Sequence, residues 1–123
     1  ILPEHLGKIQ KGDIVLMSSP FEGLERPWLS KRTCEWLIDD RQIKMLGLGV
    51  PGIDWQYDLK VPAPNNSPIR RMLLGANIPI AHPLVNIENI KADRVLYFGL
   101  PLFFPKFEAS FIRAVAFEAP EGA

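Results

Sequence analysis

The residues of this chain with chemical potential are few and scattered. There are two histidines, His5 and His82, on distant segments, and a single cysteine, Cys34. No His-x-x-x-His, His-x-Asp or Cys-x-x-Cys spacing occurs. A hydrolytic metal centre draws about three protein ligands and keeps a position open for water. The histidines alone do not supply that set, and Asp54, Glu88 and Glu108 are the carboxylates that could add to it. Arg70 offers a different chemistry. Its guanidinium stays protonated and only donates, so it cannot ligate a metal, but it can hold a carboxylate from a substrate or from the protein. Ser18 and Ser19 lack the Gly-x-Ser-x-Gly elbow of a serine hydrolase. Cys34, without a positioned base, reads as a core residue.

Around Arg70 and His82 the punctuation is clear. Ser67 and Pro68 suit the start of a helix, Gly75 suits its stop, and Ile69, Met72 and Leu73 share one apolar face. Residues 78–80 are a short extended run that delivers His82 to a turn at Pro83. Upstream, residues 1–12 are a lead-in with at most one helical turn. Residues 13–17 form a compact apolar run of strand length. Residues 18–27 read as loop. Ser30 caps a helix expected to run to about residue 39, with Cys34, Leu37 and Ile38 facing the core. Residues 43–48 predict a second buried strand, ending in a Gly-rich turn from Gly47 to Asp54. There, Gly49 and Gly52 read as positions of backbone turning or of close approach by another element.

Residues 55–66 are an irregular loop, and residues 86–92 hold one helical turn. Residues 95–102 and 110–118 predict two closing strands. Between them Phe103, Phe104 and Phe107 are expected to cover a core or a subunit contact. Strands and helices alternate early and a strand pair closes the chain. The fold class is therefore α/β, with a mixed sheet and two or three short helices.

Several of these segments resemble the metal-dependent cyclase family, which includes bacterial kynurenine formamidase and isatin hydrolase. Lys11-Gly12-Asp13-Ile14-Val15-Leu16 is similar to the family's Gly-Asp-x-Val-Leu strand, and Glu35-Trp36-Leu37 to the end of its first helix. Residues 68–87 are similar to its Pro-x-His-x-x-Leu-Leu and Ile-Pro-x-x-Glu-x-Leu-x-Asn-Leu segments. Leu100-Pro101-Leu102 and Arg113-Ala114-Val115-Ala116 are similar to its closing strands. The family's His and Glu in the central segment help hold a catalytic metal; here those positions are Arg70 and His82. In its Gly-Ile-Asp-Thr-Pro-Ser-Val-Asp segment, the first Asp and the Ser correspond to Gly49 and Gly52, while Asp54 is retained.

The resemblance implies half of a swivelling β/β/α-type domain, a single partial domain over residues 1–123. The family's upstream His-x-Gly-Thr-His-x-Asp motif has no counterpart before Gly12. By resemblance, the chain is the C-terminal part or a subunit of a metal-dependent amide hydrolase, not catalytic by itself. Arg70 and Asp54 are its candidate substrate contacts, and His82 is its candidate ligand for zinc or manganese. The alternatives are a structural or assembly subunit that has lost the metal site, or a binding module in which Arg70 holds a small acid. The expected partners are a small-molecule amide or acid, and either further copies of the chain or a chain carrying the missing half.

The bulk composition excludes other classes. Fourteen basic and fourteen acidic residues balance, so there is no electrostatic footprint for nucleic acid or an anionic membrane. No apolar run reaches the roughly 20 residues that span a bilayer, and no signal peptide is recognisable. A lone cysteine suits a reducing, cytoplasmic compartment. Twelve prolines in 123 residues demand much extended or turning backbone. Ile1 in place of an initiating Met is expected of a processed or truncated product.

Overall fold

A computed structural model describes all residues except 7, 51, 56–63 and 121–123. The chain divides into two compact units, Ile1–Glu88 and Asn89–Ala123.

The first unit is built on three parallel strands, β1 (Ile14–Met17), β2 (Met45–Leu48) and β3 (Ile80–Ala81), in the order β1-β2-β3. Parallel neighbours need a crossover, and two helices provide it: α1 (Lys31–Glu35) between β1 and β2, and α2 (Pro68–Gly75) between β2 and β3. The register sets Val15 beside Leu46 and Met17 beside Leu48, so these four side chains share a sheet face. Together with Leu29, Cys34, Leu37, Ile69 and Leu73 they form one buried cluster. Burying a Leu side chain such as Leu37, Leu46 or Leu73, each fully enclosed, contributes roughly 1.5–3 kcal/mol. On the opposite face of β2, Gly47 leaves room for Leu16 and Leu84, whose methyl carbons lie within 2.8 Å of where its Cβ would stand.

The helix starts differ from one another. Ser30 accepts the backbone N–H of Thr33 through its Oγ at 3.1 Å, as its position before α1 predicts. The apolar positions of that helix are also as expected, with Cys34 and Leu37 buried. Its second half, however, widens into a π-type turn at Trp36–Asp40, closed by the Arg41 N–H on the Trp36 carbonyl at 2.9 Å. The Arg41 guanidinium stacks 5.0 Å from the Trp36 ring centre, an attractive cation–π geometry. The capping expected of Ser67 is corrected. Ser67 adopts a left-handed backbone (φ 52°) and makes no capping bond, so α2 takes its cap from elsewhere in the chain.

The second unit contains an antiparallel pair, β4 (Leu96–Pro101) and β5 (Ile112–Phe117). The fold class is thus α/β, with its strands hydrogen-bonded into two sheets, one parallel and one antiparallel, where the sequence predicts one mixed sheet. The reason is local: residues 96–101 and 112–117 satisfy one another's ladder bonds in a hairpin register. Phe98 and Phe117 meet edge to face, with centroids 6.0 Å apart. Glu118 accepts the backbone N–H groups of Lys91 and Ala92, tying the segment before β4 to the end of β5. Phe103, Phe104 and Phe107 do not cover a core in this chain; all three are exposed. Phe104 and Phe107 instead pack on each other, with centroids 5.8 Å apart.

Candidate functional site

Because β1, β2 and β3 run the same way, the segments leaving them emerge at one end of the sheet. Crevices outside the carboxyl ends of parallel strands are where open α/β sheets bind ligands. The exits are stitched together by the main chain. Gly49 N–H donates to the Met17 carbonyl at 2.9 Å, and Leu84 N–H donates to the Leu48 carbonyl at 2.7 Å. A Cβ on Gly49 would come within 3.3 Å of the Leu84 carbonyl oxygen, so glycine permits that approach.

Farther out, Trp28 and Gly52 form a parallel bridge. Gly52 N–H donates to the Pro27 carbonyl at 2.8 Å, and Leu29 N–H donates to the Gly52 carbonyl at 3.3 Å. This bridge brings Arg26 over Gly52: a Cβ there would lie 3.1–3.3 Å from the Arg26 Nε, Cζ and Nη2. Both glycines thus serve close approach, which is one of the two uses their context suggests. Trp28 also meets Trp55 edge to face, with centroids 6.3 Å apart.

Asp54 follows directly after this bridge and is buried. Its Oδ1 accepts the Ile69 N–H at 2.8 Å and its Oδ2 accepts the Arg70 N–H at 3.1 Å. These are two of the orphan donors of the first turn of α2. A carboxylate there also faces the positive end of the helix dipole. Asp54 is therefore the cap that Ser67 does not provide.

Arg70 is anchored by the same contact. Its side chain is exposed, and among the described residues no carboxylate pairs with its guanidinium. His82 leaves the end of β3 and keeps solvent on one side. Partial burial of its imidazole pushes its pKa below the ordinary histidine value, and the charges of Arg70 and Arg26 push it further down. Arg70 and His82, both singled out by sequence, thus lie within electrostatic reach of one another. Arg26 joins them without any signal in the sequence, being carried in by the bridge at Gly52.

Among the described residues no three His, Cys, Asp or Glu side chains gather. His82 answers to two guanidinium charges, and both Asp54 oxygens already serve α2. Arg70 offers a fork of N–H donors of the kind that suits an anion, with the His82 imidazole within electrostatic reach. His5, by contrast, accepts the Leu2 backbone N–H through Nδ1 at 3.1 Å in the opening turn. Cys34 is enclosed by the core, and burial first, then the charges of Asp54, Glu35 and Asp39, pushes its thiol pKa up to about 11. Neither has a part in this edge.

No helix among the described residues is long and apolar enough to cross a membrane. No family model, curated protein or solved structure matches the chain.

Proposed function

We propose that the first unit binds the carboxylate of a small acid at the carboxyl edge of β1-β2-β3, with Arg70 as the principal contact and His82 within its electrostatic reach. One observation carries this reading. Arg70 is fixed at its main chain by Asp54, yet its guanidinium has no acidic partner among the described residues. An exposed guanidinium on an anchored main chain, with no acidic partner among the described residues and within electrostatic reach of an imidazole, suits a carboxylate from outside. The order of segments resembling the cyclase family supports a wider frame. In it, the chain is one part of a swivelling β/β/α-type amide hydrolase and contributes substrate contacts to an assembly that carries the remaining machinery.

Thermal melting with benzoate and acetate tests the binding reading. Ligand that binds only the folded state raises the melting temperature. A rise for the unaltered chain, absent from Arg70→Ala, is the expected result. Equal shifts in both proteins would remove Arg70 from the site and the reading with it.

A further inference from the structure

We propose that the β4–β5 hairpin of the second unit is a self-association surface, covered by the same face of a second copy of this chain. The proposal stands apart from the carboxylate edge. It rests on what the hairpin register gathers on one side.

Side chains alternate across a strand, and directly paired residues of neighbouring strands share a face. The register pairs Leu96 with Phe117, Phe98 with Val115 and Leu100 with Arg113. The Leu102 N–H donates to the Phe111 carbonyl at 3.2 Å, which carries the same register beyond the strands. One face therefore holds a row of Leu, Phe, Leu and Leu beside a row of Phe, Arg, Val and Phe. The opposite face holds smaller residues, among them Gly99, Ala114 and Ala116. The large face is the one turned to solvent: Leu96, Phe98, Leu100 and Phe117 are 48% to 63% exposed, and Leu102 and Phe111 are exposed too. Among the described residues β4 and β5 hydrogen-bond as strands only with each other. A two-stranded hairpin of that kind is marginal in water until a face is packed.

Area and symmetry both favour a second copy as the occupant. With about 200 Å² for a Phe and somewhat less for a Leu, the exposed parts of these six large side chains amount to roughly 700 Å². Monomers rarely expose an apolar patch above about 600 Å², whereas each partner in a stable dimer contributes about 800 Å². The two rows are also complementary under a two-fold axis, in which each residue i meets j while j meets i. With the axis along the strands, β4 of one copy lies over β5 of the other. Leu96 then faces the partner's Phe117, Phe98 the partner's Val115, and Leu102 the partner's Phe111. Arg113, the one charge on this face, falls over the partner's Leu100 rather than over its own counterpart. Its stem can cover that leucine while the guanidinium reaches water past the open edge of β5.

Sedimentation of the full chain from about 1 to 200 μM is the test, with a concentration-dependent step from one chain to two expected. Leu96→Glu and Leu102→Glu each place a charge on the proposed face and should weaken association by about tenfold or more. Ala116→Glu, the same charge on the opposite face, should change it by less than about threefold. Circular dichroism at the lowest concentration checks that the variants stay folded. Leu102 lies beyond the last residue of β4, so Leu102→Glu leaves the ladder between the strands intact. A chain that remains monomeric throughout would overturn the proposal. So would a dimer that Leu102→Glu leaves unchanged, or one that Ala116→Glu weakens equally. An open series of ever larger species would overturn it as well, since a two-fold face closes at two copies.

Discussion

Asp54 and Arg70 are joined through the main chain and not through their charges. The Asp54 carboxylate accepts the Arg70 backbone N–H at 3.1 Å, while no ion pair links the two side chains. The acid fixes where the arginine begins and leaves its guanidinium available. Stability of α2 and readiness of the binding edge therefore share one residue, and substitutions at 54 should affect both.

Asp54→Ala should destabilise the chain by about 1–3 kcal/mol, the range for losing charged hydrogen bonds to otherwise unmet helix donors. Asp54→Asn, which keeps a carbonyl acceptor, should lose less. Urea denaturation of the three proteins measures this. A loss below about 0.5 kcal/mol for Asp54→Ala would mean that water caps α2 equally well.

The two serines that precede helices should behave unequally. Ser30→Ala removes a formed cap and should cost about 1 kcal/mol. Ser67→Ala touches no capping bond and should stay within about 0.5 kcal/mol. Equal losses in denaturant titrations would contradict the left-handed, non-capping geometry at Ser67.

Cys34 should resist thiol reagents in the native state. Its side chain is fully enclosed and its pKa stands at about 11, so little thiolate exists at pH 8 and none of it is accessible. Labelling by a disulfide reagent should follow unfolding, becoming rapid only in urea. A native-state rate near that of free cysteine would show that the core around α1 opens readily.

The lowered pKa of His82 has a defined consequence for stability. The unfolded chain, with an ordinary histidine, binds the proton more readily than the folded one. The contribution is therefore intact above the ordinary histidine pKa, and it is lost as pH falls from there through the lower folded value. Stability between pH 7 and 5 should thus decline less steeply in His82→Gln than in the unaltered chain. It should also decline less steeply in Arg70→Ala, where one of the opposing charges is gone. An identical slope in all three would show that His82 does not feel these charges.

How much of this was legible in the sequence depended on the range of the forces involved. β1, β2, β4 and β5 are apolar or β-branched runs whose own composition announces them, and α2 carries its Pro and Gly at either end. The Ser30 cap is legible because donor and acceptor are three residues apart. The Asp54 cap is not, since it acts across fifteen residues on Ile69 and no local pattern marks it. Arg26 was invisible for the same reason, because its place depends on the Trp28–Gly52 bridge rather than on neighbours in sequence. The wide turn at Trp36–Asp40 escaped because helical spacing alone does not separate it from an ordinary α-turn. Arg70 and His82 were singled out by their positions in the segment that resembles the cyclase family, where they stand in place of a His and a Glu.

The common direction of the three parallel strands divides the first unit into two ends that should tolerate side-chain change differently. At the exit end Gly49 and Gly52 admit close approaches that a larger residue would disturb, and Asp54 caps α2. At the entry end two main-chain bonds, Gly12 N–H to the Arg41 carbonyl and Lys44 N–H to the Asp13 carbonyl, both at 2.8 Å, stand beside the Gln10 N–H on the Asp13 carboxylate. Main-chain bonds are indifferent to side-chain identity, so the exposed Lys11 and Lys44 should accept substitution. That end is the natural place to attach a fluorophore or a surface tether without perturbing the binding edge.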